Sequence, residues 1–163
     1  MALGKDKTRI FKIGGGYLSL KELPSGSFLD IGYIEGSKII ETIEDEDDYD
    51  ERGYQVASLD GNTTAEFQSV MKQASMDEIN LIRNSAGKHY SLRYYVVRED
   101  GTVHMIEAAY CKIVRALEVP FDNTKRLIPI RIKLLYDDTQ ASHWDQAEGS
   151  NDPPLEADWP YGT

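Results

Sequence analysis

The chain has 163 residues, 40% of them apolar and 10% aromatic. That suits one domain, which at this size buries roughly 68–70% of its unfolded surface without disulfide or metal staples. The net charge of −10 is unevenly spread: residues 1–30 sum to +2, 31–60 to −8, 61–136 to +3 and 137–163 to −7, the last block having no Lys or Arg. This balance argues against a nucleic-acid grip, whose affinity comes from phosphate neutralisation by Lys and Arg.

Ten tyrosines against four phenylalanines, with many Ile, Val and Thr residues, favour β structure. The single cysteine, Cys111, excludes an internal disulfide framework and reads as a small buried apolar residue. The start "MALGKDKTRIFK" has charge but no apolar h-region, so no signal peptide is expected, and Ala2 does not fit the myristoylation pattern. No run nears the length of a membrane span, so no membrane anchor is expected, and synthesis and folding are expected in the cytosol.

In chain order, "TRIFKIGGGYLSLKEL" (8–23) has strand character interrupted by Gly14, Gly15 and Gly16, which read as a bend in a curved sheet. The triple glycine fits neither the dinucleotide-binding fingerprint nor a phosphate-binding P-loop. "SFLDIGYI" (27–34) and "KIIETIED" (38–45) read as hairpin partners about an "EGS" turn, and residues 46–62 as a long loop. "TTAEFQSVM" (63–71) alternates as a half-buried strand does, with Ala65, Phe67 and Ser69 on one face. "SMDEINLIRNSAG" (75–87) is the predicted helix: Ser75 and Glu78 match the capping box, Met76, Ile79 and Ile82 share a face, and Gly87 is the stop.

"HYSLRYYVVRED" (89–100) and "GTVHMIEAAYCKIV" (101–114) read as a hairpin about Asp100-Gly101. A two-residue turn would pair Val97 with His104 and Tyr94 with Glu107, and set His89 opposite Lys112. "LIPIRIKLLY" (127–136) places Ile128, Ile130, Ile132 and Leu134 on one face and Arg131 and Lys133 on the other. Pro129 puts this strand at an edge or breaks it there. From Asp137 onward no core period is visible; the acidic stretch with Pro153, Pro154 and Pro160 reads as an arm or disordered tail with Trp144, Trp159 and Tyr161 as docking points. The expected organisation is an N-terminal arm and first strand (1–26), a β domain (27–137) and an acidic C-terminal arm (138–163). The expected class is mainly β, sandwich- or barrel-like, with one short helix.

No catalytic constellation is legible, and no cofactor is expected. His89, His104 and His143 lack metal-like spacing and read as structural or exposed histidines. Eight of the eleven residues from Glu41 to Glu51 are carboxylates. Such a run could bind Ca²⁺, but the EF-hand order fails, because Asp48 and Asp50 are followed by Arg52 and Gly53. The alternatives are a solvated loop and a surface that repels or grips charge. On residues 39–44, alternation sets Ile39, Glu41 and Ile43 against Ile40, Thr42 and Glu44; neither face is cleanly apolar, as in a strand buried by partner subunits.

The order of these elements carries a resemblance. "FLDIGYIEGSKIIETIEDEDDYDERGYQVASLDGNTTAEFQSVMKQASMDEINLI" (28–82), followed by the hairpin and the final strand to Tyr136, resembles the tail tube (major tail) proteins of long-tailed bacteriophages. These are related to the tube proteins of contractile tails and type VI secretion. The resemblance implies a virion structural protein, not an enzyme. Six β-sandwich-like subunits would form a ring and close their inner sheets into a barrel, and rings would stack into a tube through which double-stranded DNA passes without specific binding. It implies as partners further copies of the chain and other tail proteins such as tape measure, terminator and distal tail. The implied place is a virion tail built in the host cytoplasm. An acidic bore would repel phosphate and let a duplex slide. The residues nominated for the lumen or for ring contacts are Glu41, Glu44, Glu46, Asp47, Asp48, Tyr49, Asp50, Glu51 and Tyr54, with Arg126, Arg131 and Lys133 as complementary cations. The rival readings are a connector or terminator ring at a tail end and a Ca²⁺-dependent binding module using residues 44–51.

Overall fold

The computed structural model describes residues 16–49, 51–71, 76–119, 127–136 and 143–162, apart from the side chains of 32–33, 44–49 and 56–62. The strands are β1 (Gly16–Glu22), β2 (Phe28–Tyr49), β3 (Gln55–Met71), β4 (Tyr90–Val97), β5 (Val103–Ile113), β6 (Ile128–Leu134) and β7 (Asp145–Gly149); the helix α1 is Met76–Arg83. A short 3-10 turn spans Glu156–Asp158. The strands run antiparallel in the order β4-β1-β2-β3-β6-β5, and β4 also pairs with β5, so six strands close into a barrel. β7 adds to β5 outside that closure. The chain is thus mainly β and barrel-like with one short helix.

Alternation along the strands fills the barrel. Ile39, Phe67, Ile132 and Ile113 lie in register across β2, β3, β6 and β5 and face the core. The neighbouring register row, Ile40, Glu66, Lys133 and Lys112, faces outward. Leu18, Leu20, Leu92, Ile128 and Ile130 complete the interior. Each such side chain contributes about 1.5–3 kcal/mol on burial. The predicted alternation of Ala65, Phe67 and Ser69, and of Ile128 through Leu134, is the buried pattern observed. Pro129 sits where β6 has β3 as its neighbour but β5 has already ended, since β5 pairs only with Ile132–Leu134. Helix α1 drops Ile82 into the core with Ile79 and Leu81 half-buried, whereas Met76, expected on the same face, is exposed. Ser75 lies outside the described residues, and Gly87 has the left-handed φ of 70° after the helix has ended at Arg83.

Three expectations are corrected. Residues 27–34 and 38–45 are not hairpin partners but one continuous 22-residue strand. Gly36, with φ 65°, makes a bulge between Glu35 and Lys38, pinned by the Ser69 hydroxyl, which donates to the Glu35 carbonyl at 3.0 Å. The 46–62 loop is likewise mostly strand: Asp45–Tyr49 pair with Asp60–Gln55, and the Gly61-Asn62 step is absorbed as a second irregularity rather than a reversal. In both places a turn-forming residue supplies the extra residue of a bulge. The third correction is a register. The β4–β5 turn holds three residues, Glu99, Asp100 and Gly101: Arg98 N–H donates to the Thr102 carbonyl at 2.8 Å, and Gly101 has φ 82°. Val97 therefore pairs with Val103, Val96 with His104 and Arg93 with Glu107. A one-residue slip exchanges the two faces of the strand, so Arg93 and Glu107 share the outer face and Tyr94 points inward. His89 stacks on Tyr110, ring centroids 4.5 Å apart.

The segment expected as an acidic arm folds onto that outer face. β7 pairs with Val103–Glu107, and Trp159, 8% exposed, packs with Val103 and Met105 as a second small apolar cluster that Tyr95, Val97 and Ala147 border. Beneath it lies a buried ion cluster. Arg93 donates through Nε to Glu107 and through both terminal nitrogens to Glu156, at 2.7 and 2.8 Å, while Glu107 also accepts from Tyr161 N–H at 3.0 Å. Burial opposes the charge on Arg93, but the Glu156 and Glu107 hydrogen bonds outweigh it and hold the guanidinium above its ordinary value. Its plane is flanked by the Phe28 and Trp159 rings at 4.3 and 5.1 Å. Cys111 donates its thiol to the Tyr90 carbonyl at 3.1 Å, and burial pushes that thiol up, so it is the inert core residue expected.

Two outcomes follow. A Cβ at Gly16 would lie 2.2–2.5 Å from Cε2, Cζ and the hydroxyl oxygen of the buried Tyr94, far inside van der Waals contact. Gly16→Ala should therefore destabilise the chain by about 1–3 kcal/mol, as overpacking does, read by chemical denaturation; unchanged stability would show that the ring yields freely. Glu107→Ala leaves Arg93 buried with Glu156 as its only carboxylate and should cost about 3 kcal/mol, near the lower bound for breaking a buried pair. Glu156→Ala removes a mostly exposed partner and should cost about 1 kcal/mol or less. The reverse order would contradict the assigned burial.

Candidate assembly surface

The β2–β3 hairpin outruns the barrel that supports it. β1 reaches β2 only over Phe28–Ile34, and β6 reaches β3 only over Ala65–Met71. Beyond those limits the two strands, among the described residues, pair only with each other, to Tyr49 and Gln55. From Glu41, opposite Ala65, to Tyr49 is eight residues, about 26 Å of hairpin at the usual strand rise. Over that length the outer backbone rows of both strands have no lateral strand among the described residues. Such a row of unpaired N–H and C=O groups templates pairing with another chain.

Side chains at the base of the hairpin fit the same reading. Ile40 and Ile43 are 44% and 53% exposed although they lie mid-strand. An open groove of about 670 Å³ lies beside the end of β6, lined by Ile40, Thr64, Ala65, Leu134, Tyr136 and His143 among others.

The charges separate in space. Of the acidic run, Glu41 and the backbone of Glu44–Asp48 lie in the outer half of β2, and Glu51 lies in the turn. The outer face of β5–β6 is cationic: Lys112 and Lys133 are directly opposed in register, both exposed, and Arg131 lies two residues from Lys133 on the same face. Lys133 also lies opposite Glu66 on β3, so on that side an acidic group is in register with it. Like charges directly opposite, as Lys112 and Lys133 are, destabilise a sheet pair. Arg131 is held by Glu66, at 2.5 and 3.2 Å, and the Arg131 hydrogen bond holds the Glu66 carboxyl below its ordinary value.

The nominated residues fall as follows. Glu41 is exposed and accepts from the Trp144 indole N–H at 3.2 Å. Glu44 lies within β2; Glu46, Asp47, Asp48 and Tyr49 pair through β2 with Leu59, Ser58, Ala57 and Gln55; the side chains of these five lie outside the described residues. Glu51 and Tyr54 are exposed in the turn, where the Arg52 guanidinium sits 5.5 Å from the Tyr54 ring. Asp50 and Arg126 lie outside the described residues. Arg131 and Lys133 are on the cationic face, next to Glu66 of β3. Lys112 was not anticipated, because its place opposite Lys133 follows from the β5–β6 pairing, which joins strands separated by fourteen residues without a hairpin turn. Among the described residues no group of three or more His, Cys, Asp or Glu side chains could hold a metal ion, and no helix is long and apolar enough to cross a membrane.

No family model matches the sequence, and no curated protein matches it. Solved structures do match. A chain of the anti-feeding prophage tube-terminating cap aligns over 91% of this chain and 100% of its own, at 15% identity and TM-score 0.53. A chain of the six-fold symmetrised anti-feeding prophage baseplate aligns over 90% and 97%, at 10% identity and TM-score 0.52. A chain from the tail of an empty gene transfer agent particle aligns over 71% and 89%, at 15% identity and TM-score 0.49. The first two likenesses cover nearly the whole of both chains, and the barrel with its long hairpin is therefore a fold shared with components of phage-like injection particles.

Proposed function

We propose that this chain is a structural subunit of a phage-like tail, assembling with copies of itself into stacked rings of six that form a tail tube. The observation that carries the reading is the β2–β3 hairpin, whose outer half, among the described residues, pairs only with itself. In a ring, a neighbouring copy supplies the missing strand partners along β2 and β3 and covers Ile40 and Ile43. Between rings, the acidic hairpin end of one copy meets the Lys112, Arg131 and Lys133 face of the next, which offsets the mutual repulsion of subunits that each carry −10. Carboxylates left facing the bore repel phosphate and let double-stranded DNA pass without gripping it. The likeness to particle components, one of them solved with six-fold symmetry, supports the reading at the level of fold. Other tail proteins meet the tube at its ends.

A second reading has its own support. A solved chain whose whole length this fold matches belongs to a tube-terminating cap, and a cap or connector subunit forms one ring and does not stack on itself. Electron microscopy of the purified protein distinguishes the two: tubes of indefinite length support the tube subunit, and isolated rings the terminator.

The contact between rings has a direct test. Replacing Glu46, Asp47 and Asp48 together by Lys should abolish tube growth, read by light scattering and negative-stain imaging. Adding Lys112→Glu and Lys133→Glu to the same chain should restore a large part of it. Assembly that ignores the first change, or is not recovered by the second, contradicts the proposed pairing of charges.

A further inference from the structure

The C-terminal segment is attached to the barrel in the manner of a bound peptide. It adds one five-residue strand to an existing edge, β7 on Val103–Glu107. It inserts one anchor, Trp159, edge-on to Tyr95 with ring centroids 6.2 Å apart. It is clamped by two arginines of β4 and its turn: Arg93 holds Glu156 with two hydrogen bonds, and Arg98 holds Glu148 at 2.5 Å. His104 meets Gln146 at 2.9 Å, and the Glu107 carboxylate accepts the Tyr161 N–H at 3.0 Å. Main-chain pairing along an edge with side-chain pockets for specificity is the general mode of strand addition.

The apolar packing of the segment is separate from that of the barrel. Leu18, Leu92, Phe67, Ile132 and their neighbours form one cluster; Val103, Met105 and Trp159, bordered by Tyr95, Val97 and Ala147, form another. Of the second set, the barrel supplies Tyr95, Val97, Val103 and Met105, and the segment supplies only Ala147 and Trp159. Charge sorts the same way. Residues 143–162 carry five carboxylates and no Lys or Arg, and two of them, Glu148 and Glu156, are received on the barrel by Arg98 and Arg93. Ten residues separate Leu134 from Asp145, a length of chain that can span up to about 35 Å.

We propose that the outer face of β4–β5 is a docking site for an acidic, tryptophan-bearing extended segment, filled in the single chain by its own residues 145–162 and open to the same residues of a second copy. Exchange of the segment between copies, each site remaining filled, would staple neighbours together without any new kind of contact. This inference stands on the C-terminal segment alone and does not depend on the tube reading.

The test uses a full-length chain whose segment is released by Glu148→Arg, Glu156→Arg and Trp159→Ala, none of which alters the barrel side of the site. A fluorophore-labelled peptide of residues 143–162 should bind it saturably by anisotropy, at least tenfold tighter than it binds the unaltered chain, whose site is occupied. The same peptide with Trp159→Ala should lose that binding. Mixing the released chain with a chain that keeps its segment but has Arg93→Ala and Arg98→Ala should yield a one-to-one complex by sedimentation. Equal peptide binding to both chains, or peptide binding without the one-to-one complex, overturns the proposal. So does loss of slow amide exchange at Leu92 and Tyr94 in the released chain, because the segment would then be part of the barrel's own core.

Discussion

An antiparallel strand satisfies one row of backbone N–H and C=O groups with each neighbour, and β2 and β3 run far past the last strands that could serve their outer rows. In the barrel the requirement is met on both sides: β1 on β2, β6 on β3, and β4 on β5 to close the circle. In the hairpin beyond Glu41 and Ala65 it is met, among the described residues, on one side only. The barrel buries its own apolar residues, while Ile40 and Ile43 at the base of the hairpin are exposed, and the proposed assembly follows from that contrast.

Charge and topology act together here. A dense acidic stretch could not sit within the barrel wall, where the alternate positions hold Ile39, Phe67 and Ile132. On the proposed reading, the acidic end of the hairpin meets a cationic surface of another copy, for which the opposed and exposed Lys112 and Lys133 are the candidates. The second acidic block is treated differently. Its Glu148 and Glu156 are neutralised within the chain by Arg98 and Arg93, so the C-terminal segment is folded down as the other is held out.

Much of this was legible in the sequence, because period-2 alternation survives whatever the connectivity. The buried faces of 63–71 and 128–134, the helix near 76–83, the inert Cys111 and the β-rich class all follow from local pattern. The misreadings have one physical origin. Gly36 and Gly61 are the residues a turn needs, but an extra residue can also be accommodated as a bulge without reversing the chain. Nothing local distinguishes the two; the pairing of Ser69 with the Glu35 carbonyl, thirty-four residues away, does. The Asp100-Gly101 turn was found but its length was short by one residue, which hid the Arg93–Glu107 pair that the C-terminal segment covers. Lys112 was hidden for a related reason, since its partner strand is brought alongside by barrel closure rather than by a hairpin.

Amide hydrogen exchange of the unaltered chain, followed as its concentration is raised through assembly, bears most directly on the claim that the hairpin is completed by other copies. In dilute solution Gln55–Asp60 should exchange fast while Leu18–Leu20 and Ile128–Leu134 exchange slowly. On assembly the hairpin amides should become at least a hundredfold slower and the barrel amides should not change. Hairpin amides already protected in the dilute chain, or left unprotected in the assembled particle, would contradict the account.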